Sequence, residues 1–139
     1  MKPKDLMIGD WVQVPCLIDN VEHYDAWCQI KQLRDGDLDV IGFKELSYDE
    51  IVPIPLTTEI LEKNGFTKST PPPGIHARCY DLNNKEEKYH LTIANYNKYK
   101  RLLLDVDSVD SECFNIKCDY VHELQHALRL CGIKKEILL

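Results

Sequence analysis

The first 56 residues carry short apolar runs separated by turn residues. Apolar and β-branched side chains are concentrated at residues 8–14, 16–21, 26–33, 38–43 and 51–56. The Asp35-Gly36 pair between the third and fourth runs is typical of a tight hairpin. Pro53 and Pro55 restrict the last run to an edge strand or an exit segment. Five short strands in this length predict a small SH3-like barrel or a curled sheet.

Residues 57–66 have the pattern of a short helix with defined ends. Thr57 is a suitable N-cap, and Gly65 supplies the left-handed residue at which a helix stops. Leu61 and Phe66 fall where a Schellman ending makes its hydrophobic contact. The Ser-Thr-Pro-Pro-Pro-Gly run at residues 69–74 then predicts a loop.

The next part of the chain returns to strand-like patterns at regular spacing. Candidate strands cover residues 77–82, 89–96, 102–106 and 113–117. Apolar and polar side chains alternate most clearly in the second of these. The spacing predicts an antiparallel meander.

A final amphipathic helix is predicted over residues 119–131. Asp119 is a suitable N-cap, and Gly132 is a suitable stop residue after Arg129 in the last turn. One arc of the helical wheel is apolar and contains Tyr120, Val121, Leu124, Ala127, Leu128 and Cys131. The whole pattern predicts an α+β protein. Residues 1–56 form one module and residues 57–139 a second, or the two form one compact unit.

Composition and charge restrict the classes of function. The chain is 44% hydrophobic and 29% charged, which is typical of a globular protein. Its formal net charge of -6 disfavours binding to nucleic acid or anionic membranes, because both require a surplus of Lys and Arg. No signal peptide or membrane span is visible, so we expect a cytoplasmic protein. Six cysteines without a C-x-x-C pair indicate small buried residues rather than a thiolate zinc site.

One run in the final helix matches a catalytic signature. His122-Glu123-Leu124-Gln125-His126 reads H-E-x-x-H. Two histidines four residues apart share a helix face and bind zinc, while the glutamate accepts a proton from the metal-bound water. One hypothesis is therefore a zinc-dependent peptidase with His122 and His126 as metal ligands and Glu123 as general base.

The remainder of such a zinc site is not evident in the sequence. A catalytic zinc needs a third protein ligand, and only 13 residues follow His126. The extended signature requires glycine and histidine where the chain has Arg129 and Gly132. A ligand would have to come from upstream, for example from His76 or His90. We therefore expect these side chains to lie on a solvated helix face and to bind no cofactor. A zinc site is the alternative.

Three segments carry a resemblance to a known family. They are residues 5–12 (DLMIGDWV), 54–66 (IPLTTEILEKNGF) and 120–126 (YVHELQH). In this order they resemble segments of small uncharacterised proteins encoded in prophages and mobile elements of gut Bacteroidetes. The resemblance implies no activity, cofactor or catalytic residue. The closing segment of the family reads more like Y-V-H-Q-L-Q-N, so Glu123 and His126 depart from it, which indicates a chance match to the zinc signature.

Tyrosines in the second half of the chain suggest a nucleic-acid hypothesis. The candidates for stacking on single-stranded bases are Tyr89, Tyr96 and Tyr99. Their basic neighbours are Lys98, Lys100 and Arg101. Tyrosines on strands are more often half-buried sheet residues, which explains the same positions without a ligand.

Tryptophans in the first module suggest a protein-binding hypothesis. Trp11 and Trp27 are candidates for lining a peptide groove, as aromatic residues do in SH3 domains, although core packing also explains them. The sequence favours a non-enzymatic accessory protein of a phage or mobile element that binds an unknown protein partner. The zinc peptidase and a nucleic-acid-binding module are the alternatives, and no membrane association is expected.

Overall fold

A computed structural model describes residues 1–18, 21–71, 73, 77–84, 89–96, 99–106 and 114–139. The chain divides into two compact units. The first comprises Met1–Pro55 with Tyr120–His126, and the second comprises Leu56–Asp119 with Ala127–Leu139. The first part of the final helix therefore groups with the N-terminal strands. No helix in these ranges is long and apolar enough to cross a membrane.

The first unit is built on an antiparallel sheet of five strands. After a 3-10 turn at Pro3–Asp5, the strands are β1 (Trp11–Ile18), β2 (Val21–Leu33), β3 (Asp37–Val40), β4 (Phe43–Ser47) and β5 (Val52–Pro53). Their order in the sheet is β4-β3-β2-β1-β5. The sheet is open, so the curled sheet fits the structure and the closed barrel does not.

Alternate residues of these strands face one hydrophobic core, as the two-residue period of a strand requires. The core contains Leu6, Val12, Val14, Cys28, Ile30, Leu38, Val40, Tyr48 and Ile51. The intervening positions of β2 therefore point outward, and they carry Trp27, Gln29 and Lys31.

Two local features of this sheet follow directly from the sequence. The Asp35-Gly36 hairpin is confirmed, because the Arg34 N–H donates to the Asp37 carbonyl at 2.9 Å. The pairing of β1 with β2 shifts register between Val14 and Cys16, on either side of Pro15. Proline has no N–H to donate, and a bulge accommodates it without ending the strand.

The second unit contains a second antiparallel sheet and a short helix. The helix is α1 (Thr58–Lys63), and the strands are β6 (Thr67–Ser69), β7 (Arg78–Asn84), β8 (Tyr89–Tyr96), β9 (Tyr99–Val106) and β10 (Phe114–Lys117). The strand order β10-β9-β8-β7-β6 confirms the predicted meander.

Both predicted ends of α1 are confirmed. The Thr57 hydroxyl accepts a hydrogen bond from the Ile60 N–H at 3.3 Å. At the other end the Phe66 N–H donates to the Leu61 carbonyl at 3.0 Å, while Gly65 takes a φ of +83°. This is the Schellman geometry, and both Leu61 and Phe66 are buried.

The final helix, α2 (Val121–Leu130), begins two residues later than predicted. Tyr120, rather than Asp119, is the residue before its first turn, and the Asp119 carboxylate instead lies 3.0 Å from Lys117 Nζ. The predicted stop is confirmed, because Gly132 has a φ of +72° and the Ile133 N–H donates to the Leu128 carbonyl at 2.9 Å.

Candidate functional site

Two turns of the first unit place exposed isoleucines at their corners. In the N-terminal turn, residues 7–10, the Asp10 N–H donates to the Met7 carbonyl at 3.2 Å, and Gly9 has a φ of +87°. In the hairpin turn, residues 40–43, Gly42 has a φ of +98°. A positive φ at this place is typical of a type II turn and requires glycine or asparagine. The preceding residues, Ile8 and Ile41, are 63% and 61% exposed.

A groove of about 710 Å³ is lined by residues of both turns. The N-terminal turn contributes Ile8 and Gly9, the hairpin turn and β4 contribute Ile41, Gly42, Phe43 and Lys44, and the neighbouring strands contribute Gln29, Ile30, Lys31, Asp39 and Val40. The Gly9 N–H donates to the Ile30 carbonyl at 2.7 Å, and the Ile41 N–H donates to the Gln29 carbonyl at 3.0 Å. Both turns are thus bonded to the same stretch of β2.

Several apolar side chains that are not buried in the core line the groove. Ile8, Ile41 and Phe43 all line it, and all three are exposed. Single exposed apolar residues are normal on a protein surface, whereas a group of them around one concavity marks an interaction site. We therefore identify the groove as the candidate functional site.

The side chain of Gln125, from α2, fixes the N-terminal turn from the helix side. Its Oε1 accepts a hydrogen bond from the Trp11 N–H at 3.0 Å, and its Nε2 donates to the Gly9 carbonyl at 3.0 Å. Gln125 is buried, so these bonds are shielded from competition by water. One amide therefore bonds the chain on both sides of Asp10.

The next residue of α2, His126, contacts the Asp10 side chain itself. His126 Nε2 lies 2.6 Å from Asp10 Oδ2, and the same oxygen accepts a hydrogen bond from the Met7 N–H at 2.7 Å. Asp10 is completely buried. Because a carboxylate only accepts, His126 Nε2 carries the hydrogen of this bond. The contacts of Gln125 and His126, here called the α2 contacts, fix the turn that forms one wall of the groove.

The other two polar residues of the H-E-x-x-H run also lie in structural contacts. His122 is 5% exposed, and its ring stacks on Tyr120 with centroids 5.8 Å apart and an interplanar angle of 14°. Its edge-on neighbour is the His126 ring, with centroids 5.8 Å apart. The Glu123 carboxylate accepts a hydrogen bond from the Tyr120 N–H at 3.2 Å, which is one half of a capping box.

Burial determines the charge state of His122. Desolvation lowers the pKa of its imidazole, and the opposing attraction of the Asp10 and Glu123 carboxylates is smaller. Its buried Nδ1 has no hydrogen-bond partner among the residues that the structure describes. The neutral ring is therefore the form that fits this site.

The predicted solvated face of the final helix is wrong. His122 and Gln125 are both buried, because this side of α2 packs within the first unit, while Val121 and Leu124 are buried as well. Three polar residues of the run, Glu123, Gln125 and His126, bond backbone groups or Asp10.

These contacts bear on the predicted zinc site. The Nε2 atom of His126 is hydrogen-bonded to Asp10. The Glu123 carboxylate accepts a hydrogen bond from the Tyr120 N–H at the start of α2. Across the described ranges, no three His, Cys, Asp or Glu residues are grouped so as to hold a metal ion. His90, on β8, lies 3.7 Å from Asp81, and His76 is outside the described residues. The contacts favour a structural role for the run, and the peptidase hypothesis stays a prediction.

The two tryptophan candidates do not themselves line the groove, although Trp11 lies opposite the lining residue Gln29. Trp11 and Trp27 are paired with Gln29 and Gln13 on the outer face of β1 and β2, and neither tryptophan is among the described residues that line the groove. The signal in the sequence was instead the Ile-Gly pair, which occurs at both turns and places an apolar side chain at an exposed corner.

The tyrosine candidates lie on two paired strands of the second unit. Tyr89 and Tyr96 are the ends of β8, and Tyr99 begins β9 directly opposite Tyr96. Lys98 is outside the described residues, and Lys100 and Arg101 belong to β9. The nucleic-acid hypothesis stays a prediction.

Comparison with known proteins adds no assignment. No protein-family model matches the chain, and neither a curated protein nor a solved structure matches it.

His122 should make the first unit sensitive to mild acid. Because its folded pKa is lowered, the unfolded chain binds the proton more readily. Its contribution to stability is present above the ordinary value of 6.5 and is lost as the pH falls below it. Urea unfolding, followed by tryptophan fluorescence between about pH 7.5 and about pH 5.5, should show a loss of at most about 1.4 kcal/mol per pH unit from one such group.

A matched pair of variants separates His122 from other titrating groups. His122→Phe keeps a ring beside Tyr120 but cannot be protonated, so it should flatten the dependence on pH. His90→Ala removes a half-exposed histidine of the second unit and should leave the dependence intact. An equally steep dependence in His122→Phe would assign the acid sensitivity to other residues.

Proposed function

We propose that the protein is a non-enzymatic interaction module that binds an extended segment of a partner protein in the groove. The observation that supports this most strongly is the pair of exposed isoleucines, Ile8 and Ile41, on two turns bonded to the same strand. The resemblance to proteins of prophages and mobile elements is compatible with an accessory role of this kind and stays a prediction.

Burial of the isoleucines would supply the driving force for binding. Removing apolar surface from water contributes roughly 25 cal/mol per Å². Part of that gain is normally offset by the cost of ordering the binding surface. Here the α2 contacts and the glycine turns already order one wall, so less of the gain is lost.

Apart from Gln29, Lys31 and Lys44, the described residues of the groove offer few polar side chains that would orient a small molecule, so we propose a chain segment as its occupant. Small-molecule sites combine apolar walls with a few convergent polar groups that orient the ligand. The carboxylate lining this groove belongs to Asp39, and its oxygens already accept hydrogen bonds from Arg34 Nη2 at 2.6 Å and from the Glu45 N–H at 2.9 Å. We propose that the segment crosses the groove between the exposed isoleucines Ile8 and Ile41.

Strand addition at the edge strand β4 is disfavoured as the binding mode. The Glu45 N–H is bonded to Asp39 Oδ1 at 2.9 Å, and the Ser47 N–H is bonded to Glu50 Oε2 at 2.6 Å. Glu45 also has a φ of +55°, which interrupts an extended backbone. Two N–H groups of this edge strand are therefore already bonded to side chains, and we expect side-chain contacts to carry the binding.

Substitution of Ile41 by aspartate should weaken binding strongly without unfolding the protein. Peptides that bind the full chain are selected from a random library of peptides of about 12 residues, a length that can span a groove of this kind. The affinity of each enriched peptide is then measured by fluorescence anisotropy. We expect Ile41→Asp to weaken binding by about 50-fold or more, because it places a charge where an apolar side chain is buried. Ile8→Asp tests the opposite wall.

The matched control is Leu130→Asp, since Leu130 is 77% exposed and does not line the groove. The same chemical change there should leave the peptide affinity unchanged. The urea midpoints of all three variants verify that they remain folded. Failure of the library to yield any peptide, or enriched peptides that bind Ile41→Asp as tightly as the parent, would refute the proposal.

A further inference from the structure

We infer that the segment bound in the groove is acidic as well as apolar, a conclusion that rests on the proposed function. The groove is lined by two basic residues, Lys31 of β2 and Lys44 of β4. Both are exposed, and neither forms an ion pair with any residue that the structure describes. Their ammonium groups are available to a ligand.

The acidic residue of the groove does not cancel these charges. Asp39 receives two hydrogen bonds from the Arg34 guanidinium, at 2.6 Å and 3.2 Å. This bidentate pair satisfies both oxygens of the carboxylate and balances its charge. Among the described lining residues, two lysines therefore accompany one carboxylate that is already paired.

Other acidic residues near the groove are also directed to Arg34. Its Nε donates to Asp37 Oδ1 at 2.6 Å. This hydrogen bond, together with the attraction of Asp37, Asp39 and Glu45, raises the pKa of the guanidinium. Asp37 and Asp39 thus both bond one arginine, while Lys31 and Lys44, which line the groove, remain for a ligand.

The negative net charge of the protein does not outweigh these two lysines at close range. The chain carries a formal charge of -6, which repels an acidic segment at long distance. At physiological ionic strength, exposed charges are largely screened beyond about 8 Å. Once a segment contacts the groove, the two adjacent lysines attract its acidic residues. A segment with an apolar residue between aspartates or glutamates matches both the isoleucines and the lysines.

A nucleic acid fits the same lysines less well. Single-stranded bases bind by stacking on aromatic side chains, with a basic groove along the backbone. Among the described lining residues, Phe43 is the one aromatic side chain, and the others that project apolar groups are aliphatic. An apolar peptide is the better match for this chemistry.

Three synthetic peptides of about eight residues test the inference. In the first, Ile, Val and Phe alternate with Asp and Glu; in the second and third, the acidic residues are replaced by Gln or by Lys. We expect the acidic peptide to bind the full chain most tightly, and increasing salt to weaken that peptide selectively. Combined Lys31→Glu and Lys44→Glu substitution should lower its affinity by about 10-fold or more.

Lys68→Glu provides the matched control, because Lys68 is exposed on β6 in the second unit. It should not change the affinity. Equal binding of the Gln and acidic peptides, lost in Ile41→Asp, would overturn the acidic inference while leaving the groove as a peptide site. A single-stranded oligothymidine that binds more tightly than the acidic peptide would also overturn it. Self-association by ultracentrifugation, abolished by Ile41→Asp, would make a second copy of the chain the occupant and refute both proposals.

Discussion

Replacement of Asp10 by alanine should lower the free energy of unfolding of the first unit by about 3 kcal/mol. The Asp10 carboxylate is completely buried, lies 2.6 Å from His126 Nε2 and accepts a hydrogen bond from the Met7 N–H. Alanine would leave both of these donors without their partner. Breaking a buried pair by removing one member is costly, because the remaining polar group stays desolvated.

Tryptophan fluorescence during urea unfolding measures this loss in the appropriate unit, since Trp11 and Trp27 both belong to it. The matched control is Asp81→Ala, which breaks a histidine–carboxylate contact of 3.7 Å on β7 and β8 in the second unit. That contact is partly exposed, and we expect its loss to leave the tryptophan transition in place. A loss below about 1 kcal/mol in Asp10→Ala would show that the buried contact contributes little.

Replacement of Asn64 by alanine should destabilise the second unit by about 2 to 3 kcal/mol. Asn64 follows α1 and is buried. Its Nδ2 donates to the Ile60 carbonyl at 2.7 Å and to the Leu138 carbonyl at 2.8 Å, while its Oδ1 accepts from the Leu138 N–H at 2.8 Å. The side-chain amide therefore bonds a carbonyl in the last turn of α1. It also bonds both the N–H and the carbonyl of Leu138, as a neighbouring strand would.

Amide hydrogen exchange at Leu91 and Ile93 of β8 reports this effect within the second unit, because both residues belong to its core. Asn83→Ala is the matched control, since Asn83 is exposed on β7. It should change the exchange rates little. Asn64→Asp should destabilise the unit at least as much as Asn64→Ala, because it places a buried carboxylate against the Ile60 and Leu138 carbonyls. Exchange in Asn64→Ala at the rate of the parent would contradict the assigned role.

Much of the fold could be predicted because its signals are local. Thr57, Gly65 and Gly132 mark helix ends through the residues that immediately surround them, and the structure places the ends there. The Asp35-Gly36 hairpin is equally local. Alternation within strands identifies two groups of strands, but it does not determine whether the first sheet closes. Closure depends on pairing between β4 and β5, which are separated by the rest of that sheet.

The role of the H-E-x-x-H run could not be predicted, because its partners are distant in sequence. Gln125 bonds Trp11, which is 114 residues away, and His126 contacts Asp10, which is 116 residues away. A helical wheel shows which residues share a face but not what covers that face. The helical wheel therefore predicts a solvated polar face for α2, whereas His122 and Gln125 are buried within the first unit.

The groove could not be predicted from the sequence for a related reason. The aromatic pattern predicts Trp11 and Trp27 as candidates, whereas the exposed apolar surface of the groove comes largely from Ile8 and Ile41 at two separate turns. Each Ile-Gly pair is unremarkable by itself. Their proximity depends on the hydrogen bonds that Gly9 and Ile41 make to neighbouring residues of β2.

The central claim is that the H-E-x-x-H run fixes the N-terminal wall of the groove through the contact between His126 and Asp10. A double-mutant cycle of Asp10→Ala and His126→Ala, followed by tryptophan fluorescence in urea, tests it most directly. We expect the two effects to be strongly non-additive, with a coupling free energy of about 2 kcal/mol, because either substitution alone already breaks the same buried contact. Effects that add to within about 0.5 kcal/mol would contradict the claim and return His126 to the list of candidate metal ligands.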